Sequence, residues 1–212
     1  MRISTLSTSQ KIAHIISVVT VPPTFSFLAF ILLTSHFEQG NALHKFSVAF
    51  VAITFSSILP ILYILYLRKQ KTVSSYDVPL REQRTNPYLL SVLNNSIGFF
   101  LLLFMHADLY VWTLMWCYAI NTFILFWINR YWKISAHTMG IAGPMIMLSV
   151  LFGWNVLFFL PLLFLVGWAR IELRVHSIAQ VVAGSVAGAV LTIAQIFFVF
   201  QIGRELVRNF LQ

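Results

Sequence analysis

The sequence predicts an all-α protein, a polytopic bundle of six or seven transmembrane helices, and three observations carry that expectation. Of 212 residues, 59% are hydrophobic and only 9% are charged, with a mean hydropathy of +0.84. A water-soluble domain carries roughly a quarter charged residues, because it needs them to cover its surface. The apolar runs are long and continuous, without the alternation of barrel strands. In a bilayer only helices and closed barrels satisfy every backbone N–H and C=O, and a spanning helix needs about 20 apolar residues. Continuous runs therefore mean helices.

Seven apolar segments follow in order, at about 12–34, 46–67, 89–105, 109–128, 134–151, 155–168 and 178–202. The first is too long for the core of a signal peptide, and Pro22 and Pro23 should kink it or make it re-entrant. The third and sixth are short and read as tilted or partial, so six spans is the alternative count. Between the second and third lies the longest polar stretch, 68–88, expected as one loop of about twenty residues, a length usually reserved for function. The seventh carries Gly184 and Gly188, a small-xxx-small spacing that lets helices approach closely. Packing within the chain is its first reading and a homodimer its second. No repeat or internal boundary divides the chain, which reads as a single membrane domain over 1–212.

The formal net charge is +8, yet the basic residues sit in short loops between apolar runs. That distribution suits membrane orientation or an anionic ligand and argues against a nucleic-acid partner. Cys117 is the only cysteine and lies in an apolar run, so no disulfide framework or cysteine metal site exists. With seven spans, the loops after segments two, four and six share one side with the N-terminus. They hold Arg81 and Arg84; Lys133, Ser135 and His137; and Arg170, Arg174 and His176.

Those residue types at one bilayer face suit phosphate. Arginine grips phosphoryl oxygens bidentately, lysine adds a point charge, and a hydroxyl at a helix start joins the N–H groups there. Two histidines could divide the work of nucleophile and general acid. A metal is the rival for them, but no carboxylate ligands accompany them; Glu82 and Glu172 are expected to pair with neighbouring arginines. The plainer reading makes the arginines positive-inside markers and the histidines helix-end residues. Residue types alone leave both open.

Spacing narrows the choice. Ala169-Arg170-Ile-Glu-Leu-Arg-Val-His176-Ser-Ile-Ala-Gln180 resembles the third signature of the type 2 phosphatidic acid phosphatase superfamily, Ser-Arg, five residues, His, three residues, Asp. Ile134-Ser135-Ala136-His137 resembles its second, Pro-Ser-Gly-His, and Arg84 with Pro87 following resembles the end of its first, Lys, six residues, Arg-Pro. The resemblance covers roughly 81–188 and belongs to the membrane branch, in the inner membrane of a bacterium. It implies a lipid phosphatase without metal or cofactor, acting on phosphatidate, phosphatidylglycerophosphate or polyprenyl diphosphate. By that resemblance His176 is the nucleophile, His137 the acid, and Arg84, Arg170 and Ser135 the phosphate clamp. Asp77 stands where the family has Lys, with Arg81 as a substitute cation and Lys133 nearby. Gln180 stands where an Asp orients the nucleophile; four residues from His176, it shares a helix face with it and can accept its N–H. Two other classes stay in view: a non-catalytic lipid-phosphate binder, and an anion or lipid transporter, which would put its cations near the midplane.

Eleven basic residues fall on the N-terminal and motif side (Arg2, Lys11, Arg68, Lys69, Lys71, Arg81, Arg84, Arg130, Lys133, Arg170 and Arg174) and three opposite (Lys45, Arg204 and Arg208). The positive-inside rule then expects a cytoplasmic motif face.

Overall fold

All seven apolar segments are helical, some of them interrupted, in the computed structural model, which describes residues 6–210. Helix α1 (Thr8–Val19) starts at Ser7, whose side chain accepts the Gln10 N–H while the Gln10 side chain accepts from Ser7 N–H. This reciprocal cap satisfies two orphan donors. It stops before Pro22, because the residue ahead of a proline is pushed out of the helical region; Val21 is extended. Helix α2 (Pro22–His36) then starts with both prolines in its first turn, where their missing N–H is harmless. The two helices meet at a 47° bend, the expected kink.

Asn41 caps α3 (Ala42–Ile53) by accepting the His44 N–H. A π-helical turn, Thr54–Ile58, joins it to α4 (Leu59–Lys69). Pro60 explains that turn. It has no N–H to donate to Ser56 C=O, and its ring needs room in the preceding turn. The hydroxyl of Ser26 lies 3.3 Å from the carbonyl left over.

Helix α5 (Thr85–Phe104) follows a 3-10 turn, Arg81–Arg84. The stretch 68–88 is thus not one long loop: its irregular part is 70–80, because Pro87 fits the first turn of a helix. Asp108 caps α6 (Leu109–Tyr131), and Ser135 caps α7 (Ala136–Phe152). Helix α8 (Leu160–Glu172) follows a 3-10 stretch, Trp154–Phe159, and α9 (Ile178–Phe210) closes the chain.

The third and sixth segments, expected to be short, extend to Arg81–Phe104 and Trp154–Glu172 and are long enough to cross. Five helices meet that length and composition, or six with the bent α1–α2 pair taken as one span. The short segment is instead the fifth, α7, whose 17 residues rise about 26 Å against a hydrocarbon core of ~30 Å. The chain is a multi-pass membrane protein. Its outer surface is apolar, with Phe104, Trp154 and Phe158 more than four-fifths exposed, as lipid-facing side chains are.

Helix α7 lies in a cradle of small residues. A Cβ on Gly184 would collide with Ser135 O, and one on Gly188 would sit 2.6 Å from Met139 O. Lipid tails leave no hydrophobic drive between helices, so close backbone approach must supply the packing. The small-residue face of α9 is occupied by α7 of the same chain. Packing within the chain, the first reading of that spacing, is what the two glycines serve here. Gly184→Val should push α7 from α9 and destabilise the protein by about 3 kcal/mol, lowering its thermal unfolding midpoint in detergent. An unchanged midpoint would contradict this packing.

Candidate active site

Several chain segments end together at one end of the bundle and bring polar side chains into a buried cluster. Arg84, at the start of α5, is 3% exposed. Its Nε donates to Val78 O (2.8 Å) and its Nη1 to Ile134 O (3.1 Å) and Tyr88 Oη (3.4 Å). Those carbonyls fix the guanidinium and leave Nη2 pointing at His176 Nε2, 3.3 Å away. His176 sits in the turn between α8 and α9, a turn that Arg174 makes possible with a φ of +53°. The Nδ1–H of His176 donates to Gln180 Oε1 (3.0 Å), which also accepts the Ser177 N–H at 3.2 Å. With Nδ1 bearing the proton, the lone pair is on Nε2. Burial first, then Arg84, Arg170 and Lys133, lowers the pKa of this ring to about 3, so it is neutral at physiological pH.

Arg170, in the last turn of α8, is completely buried. Its Nη1 donates to Asp77 Oδ2 at 2.6 Å and to Ser17 Oγ. Its Nε and Nη2 have no partner among the described residues. Burial alone would raise the pKa of Asp77, but Arg170 and the Ser75 hydroxyl outweigh it and hold it near 2. Asp77 is therefore more than a missing cation: it is a carboxylate seated on one edge of a clamp arginine.

His137, in the first turn of α7, is 3% exposed, with Nε2 3.2 Å from Ser17 O. Ser135 is buried; its Oγ accepts the Thr138 N–H and its own N–H donates to Gln180 O. Lys133 donates to Val175 O beside the His176 turn, and burial, then Arg84 and Arg170, lowers its pKa to about 8. His176, His137, Gln180, Arg84, Arg170, Ser135 and Lys133 thus share one end of the bundle.

Arg81 does not join them. Its Nη1 donates to Tyr131 O, its Nε lies 3.6 Å from Glu82, and its side chain is 41% exposed. As the first residue of the 3-10 turn it faces the rim, three positions from Arg84. Glu82 thus pairs as expected; Glu172 has no ion pair among the described residues. The sequence reading missed Ser17, which binds both Arg170 and His137 from the last turn of α1. No motif marks it.

A cavity of about 550 Å³ begins at Asp77, Arg84 and His137 and runs inward to Asn95, Tyr118, Asn121 and Thr192. Val18, Ile61 and Leu65, all exposed, lie on its wall between the α1–α2 bend and α4. That wall opens between exposed apolar side chains, and the polar end of the cavity lies at the bundle end. No protein-family model, curated protein or solved structure matches the chain.

Proposed function

We propose that the protein is a membrane phosphatase that removes the phosphate or diphosphate headgroup of a lipid through a phosphohistidine. The observation that carries this reading is the pair of unpartnered N–H-bearing atoms, Nε and Nη2, on a completely buried arginine. Buried donors are almost always bonded, and two on one guanidinium edge match the paired oxygens of a phosphoryl group. Such an anion would lie beside Arg84 and the Nε2 lone pair of His176.

In the proposed reaction His176 Nε2 attacks phosphorus, forming a P–N bond as the P–O bond to the lipid breaks. His137, in its imidazolium form, gives one proton to the departing alkoxide and becomes neutral. Water then attacks phosphorus as the P–N bond breaks, its proton returns to His137, and inorganic phosphate leaves. Charge spreads over the phosphoryl oxygens in the transition state, so Arg84 and Arg170 do their work electrostatically. Gln180 holds the reactive tautomer of His176 without adding negative charge. The apolar cavity supports phosphatidate, phosphatidylglycerophosphate or polyprenyl diphosphate over a water-soluble ester. A motif face in the cytoplasm belongs to the same proposal.

One observation favours a second reading, a lipid-phosphate binder without turnover. Asp77 already neutralises part of Arg170 and would repel an incoming phosphate. Transport finds less support, because the cations gather at helix ends. Phosphate release by the detergent-solubilised protein, assayed against the three lipids, decides: release supports the phosphatase, and binding without release supports the binder.

The pH dependence carries its own test. His176, lowered to about 3, stays neutral across the working range and gives no acid limb in the free protein. Because its pKa is depressed on folding, its contribution to stability is complete above about 6.5 and declines as pH falls toward 3. Lys133 loses its charge as pH rises through about 8, so kcat/KM should fall above that point. Lys133→Arg should move the alkaline limb up, because guanidinium stays charged. An unmoved limb would remove Lys133 from the clamp.

A further inference from the structure

The inner end of the cavity is polar in a part of the protein where polarity is costly. Asn95 lies 11 residues into α5 from Arg84, about 16 Å deeper at 1.5 Å per residue, near the middle of the hydrocarbon. It is 4% exposed, and its Oδ1 has no partner among the described residues. Across the α5–α6 contact, the Tyr118 hydroxyl is also buried and unpartnered. Both residues line the cavity.

The cavity neighbours Asn121 and Thr192 are committed elsewhere. Gln195 Nε2 donates to Asn121 Oδ1 at 2.8 Å, and Asn121 Nδ2 donates to Thr192 Oγ1 at 3.0 Å. This chain ties α6 to α9 and leaves Asn95 and Tyr118 free. Gly143 lets α7 pack closely against this chain, since a Cβ there would come within 3.2 Å of Thr192 Oγ1. An acceptor and a hydroxyl left free around one buried space want a ligand that can both donate and accept.

We infer that this inner end is a specificity subsite for a hydroxyl group on the hydrocarbon chain of the lipid, about 16 Å from its phosphorus. The hydroxyl donates to Asn95 Oδ1 and accepts from Tyr118 Oη–H. A chain without it leaves both protein groups dry and unpaired, the arrangement by which a site discriminates strongly against a deoxy analogue. The inference rests on the proposed phosphate site at the cavity mouth.

The test compares the affinity of the full chain in detergent for 12-hydroxyoctadecyl phosphate and for octadecyl phosphate. The expected preference is at least about tenfold for the hydroxylated chain. Tyr118→Phe, which removes one oxygen and nothing else, should bring that ratio to within about twofold of one, and Asn95→Leu should act likewise. Equal affinities in the unaltered protein would overturn the inference and leave the inner end a water pocket. So would a preference that survives Tyr118→Phe. The phosphate reading is tested separately with octadecane-1,12-diol and octadecanol. If the diol is preferred and the phosphate adds no affinity, the headgroup site fails while the hydroxyl subsite stands.

Discussion

His176→Ala is expected to abolish phosphate release, a loss of about 10⁴-fold or more, as when a group at the centre of a covalent mechanism is removed. Lipid-phosphate binding should persist, because Arg84 is held by the Val78 and Ile134 carbonyls and not by the imidazole. The phospho-enzyme should vanish with activity: brief incubation with a ³²P-labelled lipid phosphate should label the unaltered protein with acid-labile phosphate, and leave the variant unlabelled. Residual turnover near the unaltered rate would remove His176 from the chemistry. Loss of binding along with turnover would instead make the ring part of the scaffold.

Arg170→Met is expected to have two separable effects. Asp77 loses its partner in a largely buried place, and breaking such a pair costs about 3–5 kcal/mol. Phosphate affinity should also fall by at least about 100-fold, because a bidentate, charge-assisted contact goes with the guanidinium. The double variant, Asp77→Asn with Arg170→Met, distinguishes the two. It removes the stranded carboxylate and should recover most of the thermal stability, while phosphate affinity stays low. Recovery of both would assign Arg170 to structure alone. Asp77→Asn by itself should tighten phosphate binding, since the anion no longer competes with a resident carboxylate.

The third expected cation shows why spacing has limits. Arg81 and Arg84 differ by three positions, and both matched a need for positive charge near Asp77. The 3-10 turn between them has three residues per turn and starts both side chains on the same face, so their partners separate them: Arg84 bonds Val78 O and Ile134 O, and Arg81 bonds Tyr131 O at the rim. Nothing in the residue types distinguishes them, because the choice depends on which carbonyls of two other loops lie within reach. Asp77 follows the same logic. Its departure from the family pattern is visible in the sequence, but its seat on Arg170 joins residues 93 positions apart.

The sequence by itself determined the all-helical membrane architecture, because hydrocarbon leaves the backbone no alternative once charge is so sparse. It also determined the bend at Pro22–Pro23, where local geometry decides; the His176–Gln180 contact forms as expected, but from the turn before α9 and not along a shared helix face. Only the tertiary structure decided that α7 lies against Gly184 and Gly188, that Ser17 binds Arg170 and His137, and that two donors of Arg170 remain free. Each depends on how closely separate helices approach, and that distance is set by small side chains and freed carbonyls scattered along the chain.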